Sequence, residues 1–267
     1  MPKHQPVSPD THGAKRWKRY DGYAFAAGDT AATLVAQEMP AACPHFPVAF
    51  LQLDGHFTPV AVQGLQGGRN LFVAPDGRWL GGYVPAAYRG HPFALADTPD
   101  GQAVLCVDAD SGLIGDTEGE PFFDADGTPA KPLQEVFVFL QKVRADRQAT
   151  QRICDALAEE RLIIPWPLTV KDGGREISLQ GLHRIDEDRL KALGAETLHR
   201  LHGMGAVGVA YAQLLSLQHL KILGRLAQLH AQWRKPTEPS APAENAGSEG
   251  AALELMEQNG TISFGGA

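Results

Sequence analysis

A change in hydrophobic pattern near Lys131 constrains the fold of this chain more than any other feature of its sequence. Before it, apolar segments are short and separated by turn signals, as in residues 47–65, where Asp54-Gly55 favours a type I′ hairpin turn. After it, apolar residues recur at helical spacing over residues 133–162. We therefore expect an α+β fold, in which a mostly antiparallel sheet in the N-terminal and central part packs against a long helix and C-terminal helices.

Turn signals also predict two further hairpins, one over residues 92–108 across TPDGQ and one over residues 167–185 across KDGGR. The helical stretch 133–162 fits one long helix or two consecutive ones equally well. A last helical region covers residues 195–233, and its most apolar segment is about 12 residues long, well short of the ~20 that cross a bilayer. We expect a buried helix there and no membrane span.

Composition divides the 267 residues into four segments. Residues 1–16 are polar and are predicted to be a flexible N-terminus, and residues 17–234 to form a single α+β domain. Residues 235–250 are rich in Pro, Ser, Ala, Gly and Glu, which predicts a disordered linker. Residues 251–267 are apolar again, and two interpretations stay open for them, a tail that docks and an idle terminus.

Charge and cysteine usage limit the partners and the compartment. The 31 acidic residues exceed the 24 Lys and Arg residues, for a net charge of -7, which argues against a nucleic-acid partner. The three cysteines lie far apart without a C-x-x-C pair, so neither a disulfide framework nor a zinc ribbon is expected. The basic first 20 residues lack the apolar core of a secretory signal. These features predict a cytoplasmic protein.

No metal or cofactor site is expected. The acidic stretch 108–126 departs from the EF-hand pattern, and His199 and His202 share a helix face without a third ligand. The glycine-rich segment 64–70 lies between two predicted strands, whereas a phosphate-binding loop needs a following helix. A turn is the expected structure there.

The most distinctive stretch covers residues 77–95, where aromatic, arginine and histidine side chains crowd beside glycines. Its candidate ligand-binding or partner-binding residues are Trp79, Tyr83, Tyr88, Arg89 and His91. Such mixtures are typical of binding anchors, but they also pack the edges of sheets, so both roles stay open.

An enzymatic alternative combines His91 with the carboxylates of the 108–126 loop. Its acid and base groups would come from His91, Glu118, Glu120 and Asp124. Convergence of two or more of these carboxylates with His91 in a concave pocket would favour an enzyme, and carboxylates that splay into solvent would remove its support.

Several segments, taken in order, resemble the SapC family, which is named from surface-layer gene neighbourhoods of bacteria. They are YAFAAGD (23–29), PVAFLQLDGHFTPVAVQGL (47–65), NLFVAPDGRWLGGYVPAAYRGHPFAL (70–95), EGEPFFDADG (118–127), LQEVFVFLQ (133–141), RQATQRICDAL (147–157), LQGLHRIDEDRL (179–190) and AYAQLLSLQHLKIL (210–223). Together they span about residues 20–230. The membrane-spanning permease of the same name is a different protein.

The resemblance implies a role beside the modification or uptake of a peptide or glycan, because family members occur near genes for TonB-dependent receptors, flavin-dependent halogenases and cupin-like oxygenases. It assigns no catalytic residues. The expected function is a non-catalytic binding or accessory protein in a bacterial peptide, protein or surface-glycan system, with a peptide or protein partner. A homodimer stays open, and the alternative is the enzyme of unknown chemistry described above.

Overall fold

A computed structural model describes residues 3–98, 101–172 and 175–234 of the chain. The predicted linker at 235–250 and tail at 251–267 lie outside these residues. The strands are β1 (His4–Pro6), β2 (Arg16–Trp17), β3 (Ala31–Thr33), β4 (Val48–Leu53), β5 (His56–Val62), β6 (Phe93–Asp97), β7 (Ala103–Asp108), β8 (Ile114–Gly115), β9 (Glu120–Pro121), β10 (Ile163–Pro165), β11 (Leu168–Asp172), β12 (Arg175–Leu179) and β13 (His183–Ile185). The helices are α1 (Pro9–His12), α2 (Met39–Ala42), α3 (Ala86–Arg89), α4 (Lys131–Glu159), α5 (Glu187–Lys191), α6 (Ala195–Gly203), α7 (Ala206–Ser216) and α8 (Leu220–Arg234).

The largest sheet has five strands in the order β10-β13-β4-β5-β3, and all of its neighbouring pairs are antiparallel. Its central hairpin β4–β5 is the one that the sequence predicts. Asp54 and Gly55 have φ angles of 50° and 83°, as the two central positions of a type I′ turn require. The strand β3 lies at one edge of this sheet.

Three smaller sheets account for the other strands of the described residues, in the orders β1-β7-β6, β8-β2-β9 and β11-β12. The predicted hairpins β6–β7 and β11–β12 are both present. The predicted continuous strand over residues 176–185 is divided, however, because Gly181 has a φ of 79° and turns the chain between β12 and β13. These two strands therefore belong to different sheets.

The helical stretch after Lys131 is one continuous helix, α4, of 29 residues. Pro132 lies in its first turn, where the missing N–H removes no intrahelical hydrogen bond. The helix buries side chains near both ends, so it contributes Leu133 to one hydrophobic core and Ile153 and Leu157 to another. The mixed helices and antiparallel sheets confirm the predicted α+β class.

The main core lies between the five-stranded sheet, α4 and the C-terminal helices. Gln213 is fully buried in the apolar helix α7, and its amide accepts from Ile185 N at 3.0 Å and donates to Val48 O at 3.0 Å. A buried amide satisfied on both sides ties α7 to two strands of the sheet. Within the part of the chain that the structure describes, no helix is both long enough and apolar enough to cross a bilayer.

The N-terminal segment differs from the predicted flexible terminus over residues 3–16. The strand β1 pairs with β7, and Ser8 caps α1 by accepting from Thr11 N. Trp17, in β2, is 2% exposed and anchors a second core with Phe93 and Phe122. Composition predicts flexibility from polar residues, but these residues are held by main-chain pairing with strands about 100 positions away, which composition does not reveal.

Candidate functional site

Trp79, the largest candidate anchor, is half-buried and packs against the main core. Its ring stacks on Phe72 with 5.8 Å between centroids and meets the ring of Tyr88 edge-on at 5.9 Å. Its indole N–H donates to Tyr83 O at 2.8 Å. The indole N–H and the ring of Trp79 thus both contact other residues of the protein.

Tyr83 is held by a buried carboxyl group, that of Glu38, which sequence reasoning did not single out. Glu38 is 7% exposed, and its Oε1 accepts from Tyr83 OH at 2.9 Å and from Ala86 N at 2.6 Å. Its Oε2 accepts from Val35 N at 3.1 Å. Burial, together with the hydrogen bond to Glu38, raises the pKa of Tyr83 to about 12. Tyr83 is therefore a neutral donor at physiological pH.

Arg89 is exposed at the end of α3 and leans over Tyr83. Its guanidinium carbon lies 4.8 Å from the centre of the Tyr83 ring, and its Nε donates to Val84 O at 2.9 Å. A cation above an aromatic face is a weak attraction at an exposed site. The contact orients the arginine along the surface of its own segment.

Tyr88 is 6% exposed, but its ring borders a cavity of about 830 Å³. Its hydroxyl donates to Gln63 Oε1 at 2.6 Å, which also accepts from Asn70 Nδ2 at 3.0 Å. The side chain of Asn70 is fixed in turn by main-chain groups. Its Nδ2 donates to Ala26 O at 3.1 Å, and its Oδ1 accepts from Phe72 N at 2.9 Å. This chain of buried hydrogen bonds holds one wall of the cavity rigid.

The cavity lies between β3 and the first residues of β6. Its titratable and aromatic lining residues are His4, Phe25, Asp29, Tyr88, His91, Phe93, Asp108 and Asp110. The acidic groups thus come from Asp29, two residues before β3, and from the end of β7 and the turn after it. The cavity is the place where the structure brings two of the sequence candidates, Tyr88 and His91, together.

His91 forms one side of the cavity by stacking on Phe25. The two rings are nearly parallel, with an angle of 8° and 3.8 Å between centroids. Burial lowers the pKa of His91, and the negative charge of Asp108 opposes this shift in part. The lowered pKa favours the neutral imidazole.

Asp29 faces the cavity and interacts with the Tyr88 hydroxyl. Its side chain is accessible, yet the surrounding protein raises the pKa of its carboxyl, with burial as the main cause and the Tyr88 hydrogen bond acting in the opposite direction. A phenol has one proton and here meets two acceptors, Asp29 and Gln63. The carboxyl of Asp29 consequently shares this donor with Gln63, to which the hydroxyl donates at 2.6 Å.

Asp108 contributes a second carboxylate and is 8% exposed. Its Oδ1 accepts from two main-chain groups, Lys3 N at 2.9 Å and Asp110 N at 3.2 Å. These contacts also join the N-terminal strand to the rim of the cavity. Neutral main-chain donors orient the carboxylate without cancelling its charge.

The carboxylates of the enzymatic alternative lie elsewhere. Glu118 is exposed and pairs with Lys18, Glu120 lies opposite Trp17 in β9, and Asp124 is exposed in a turn closed by Thr128. None of these three described residues lines the cavity beside His91. In the described residues, no group of three or more His, Cys, Asp and Glu side chains is placed to hold a metal ion.

Sequence reasoning missed several cavity residues, namely Phe25, Asp29 and the whole of β3. YAFAAGD, which ends at Asp29, is one of the segments that carry the family resemblance, but its residue types indicate no chemistry. In the sequence, Asp108 stands out only as part of the acidic stretch 108–126. Asp29 and Asp108 both lie near strand ends in the sequence. This position points to a shared site only when the pairing of the strands is known.

Comparison with known families settles the relationship. A family model described as SapC matches residues 7–223. The chain belongs to the SapC family. The match extends the resemblance towards the N-terminus, so it includes α1 and β2, and both walls of the cavity fall within it. A search of curated proteins and a search of solved structures each found no match to this SapC-family chain.

Proposed function

We propose that this SapC-family protein is a non-catalytic binding protein that takes a basic, extended peptide segment of a partner protein in the cavity beside His91. The observation that supports it most is the acidic lining. Asp29, Asp108 and Asp110 border the cavity, and among its described lining residues there is no Lys or Arg. Charge complementarity therefore favours a cationic occupant and rejects an acidic one.

The size and mixture of the lining support a peptide. A volume of about 830 Å³ lies within the usual range of ligand sites, roughly 300–1,000 Å³. Phe25 and Tyr88 offer aromatic surface for apolar side chains, while Ser111 and Thr33 offer hydroxyl groups. Binding by a long, partly apolar segment uses both kinds of group.

The enzymatic alternative loses its main support because its three carboxylates lie away from His91. We therefore propose an accessory role in a bacterial peptide, protein or surface-glycan system, as the family resemblance implies. A cytoplasmic location belongs to the same proposal and rests on the cysteine usage.

The test compares two fluorescent peptides of about ten residues, one alternating Thr and Lys and one alternating Thr and Glu, by titration with the full-length protein. The Lys peptide should bind and should weaken as salt is raised, because salt screens charge pairs. Asp110→Asn should lower its affinity by about three- to tenfold.

Asp124→Asn provides the matched control, because it removes the same charge from an exposed turn outside the cavity. Its affinity for the Lys peptide should equal that of the wild type. Equal binding of the two peptides, or an equal loss in the two variants, would contradict the proposal.

A further inference from the structure

The cavity adjoins a strand whose outer edge is unpaired. The strand β3 pairs with β5 on one side, and in the described residues no other strand pairs with it. We propose that the partner peptide binds by adding a strand to β3. This inference rests on the proposed function and specifies its binding mode, in which main-chain hydrogen bonds supply affinity and alternate side chains supply specificity.

The hydrogen bonds around β3 show which of its main-chain groups face outward. Leu34 N donates to Pro59 O at 2.9 Å, and Gln63 N donates to Thr30 O at 2.8 Å. In an antiparallel pair, hydrogen-bonded and non-hydrogen-bonded positions alternate. Residue 32, between these two positions, therefore faces β5. Ala31 and Thr33 direct their N–H and C=O groups away from it.

The hydrogen bonds between β5 and β4 independently lead to the same orientation of the β3 main chain. Val62, the residue opposite Ala31, donates its N–H to Pro47 O at 2.8 Å, on the side of β4. Its N–H is thus turned away from β3. The main-chain groups of Ala31 therefore have no partner in β5 and remain available at the edge.

The outer edge opens on the cavity, which all three residues of β3 line. Edge strands are commonly protected by lysines, prolines or bulges. The sequence of β3 is Ala-Ala-Thr, so its side chains are small and uncharged and none of them blocks a second strand.

Further depressions adjoin both ends of β3. One of about 160 Å³ borders Thr30 and Ala31, and one of about 460 Å³ borders Thr33 and Leu34. Side chains of an added strand point alternately to its two faces. Both depressions are also lined by residues of β5, Val62 and Thr58 among them, so they lie over the sheet and offer space to side chains that the added strand turns towards that face, not to its main chain.

The acidic groups specify the chemistry of the added strand. Asp29 is two residues before Ala31, and Asp108 and Asp110 line the same cavity. A Lys or Arg side chain of the added strand would place its charge among these carboxylates. The occupant is therefore an extended segment with basic residues on the face turned to the cavity.

Amide hydrogen exchange of the full-length protein, measured by NMR with the Thr-Lys peptide at saturation, tests the mode directly. Exchange at Ala31 and Thr33 should slow by about tenfold or more, because their N–H groups gain acceptors. Ala32, which already pairs with β5, is the internal control and should not change. N-methylation of the peptide at alternate residues should abolish binding in one register and leave it intact in the other.

The outcomes separate the binding mode from the proposed function. If the peptide binds with the Asp110 dependence but exchange at Ala31 and Thr33 does not slow, strand addition is wrong and the binding function stands. If the Lys peptide does not bind, both fall. If both amides are already protected in the free protein, another segment or a second copy covers the edge, and a partner strand is wrong.

Discussion

The hydroxyl of Tyr83 donates a hydrogen bond of 2.9 Å to the buried carboxylate of Glu38. The same carboxylate accepts from Val35 N and Ala86 N, so it joins the segment after β3 to the start of α3. A carboxyl group that is nearly excluded from water needs such donors to offset the loss of its hydration. This relationship gives Tyr83 a structural role beside the cavity.

Replacing Glu38 with alanine should destabilise the fold strongly. Three buried or half-buried donors would lose one acceptor group, and the expected loss of unfolding free energy is about 3 kcal/mol or more. Tyr83→Phe removes a single hydrogen bond and should lose about 1 kcal/mol. Urea unfolding measures both. A Glu38→Ala loss no larger than that of Tyr83→Phe would show that the carboxylate is not the centre of this network.

Alanine substitutions of Trp79 and Arg89 should lower the unfolding free energy by different amounts, although the two residues belong to one sequence cluster. Trp79→Ala removes a ring stacked on Phe72 and should lower the unfolding free energy by about 3 kcal/mol. Arg89→Ala removes an exposed cation above Tyr83 and should lower it by less than about 1 kcal/mol. Equal losses in thermal or urea unfolding would contradict the packing role of Trp79.

The parts of the fold that local chemistry determines could be predicted from sequence. Asp54-Gly55 specifies its hairpin turn, and the spacing of apolar residues specifies α4. The contacts that build the cavity are not local. Glu38 meets Tyr83 across 45 positions, and Lys3 meets Asp108 across 105. Residue types alone therefore indicated Tyr88 and His91 but neither Asp29 nor the edge of β3.

The glycine-rich segment 64–70 forms a turn, and its glycines should differ in tolerance. A Cβ atom at Gly64 would lie 2.2 Å from Arg69 O, whereas one at Gly67 would have no atom within 4 Å. Gly64→Ala must therefore shift the main chain and should lose about 1–3 kcal/mol. Gly67→Ala is the matched control and should stay within about 0.5 kcal/mol of the wild type. Similar midpoints for the two variants in urea would contradict this account.

Asp29 should make stability depend on pH in the direction opposite to a salt-bridged carboxylate. Burial raises the pKa of its carboxyl above the ordinary value of 3.8, so the folded state binds this proton more tightly than the unfolded state. The resulting stability is complete below pH 3.8 and is lost as pH rises through the higher folded pKa. Asp29→Asn cannot ionise and keeps an oxygen for Tyr88. It should therefore be more stable than the wild type at pH 7, with the difference shrinking towards pH 3.

Asp76→Asn is a control for Asp29→Asn, because its effect on the pH dependence of stability should have the opposite sign. The side-chain hydrogen bond from Arg78 lowers the pKa of Asp76, so the stability that Asp76 supplies is present above the ordinary value and is lost as pH falls. Unfolding free energies of both variants and the wild type, measured from pH 3 to 7, should therefore diverge in opposite directions.

Asp29→Asn should also bind the Thr-Lys peptide more weakly, because it removes one cavity charge. If Asp29→Asn is less stable than the wild type at pH 7, the Asp29 side chain supports the fold. If its affinity for the Thr-Lys peptide is unchanged, the charge of Asp29 does not face the ligand.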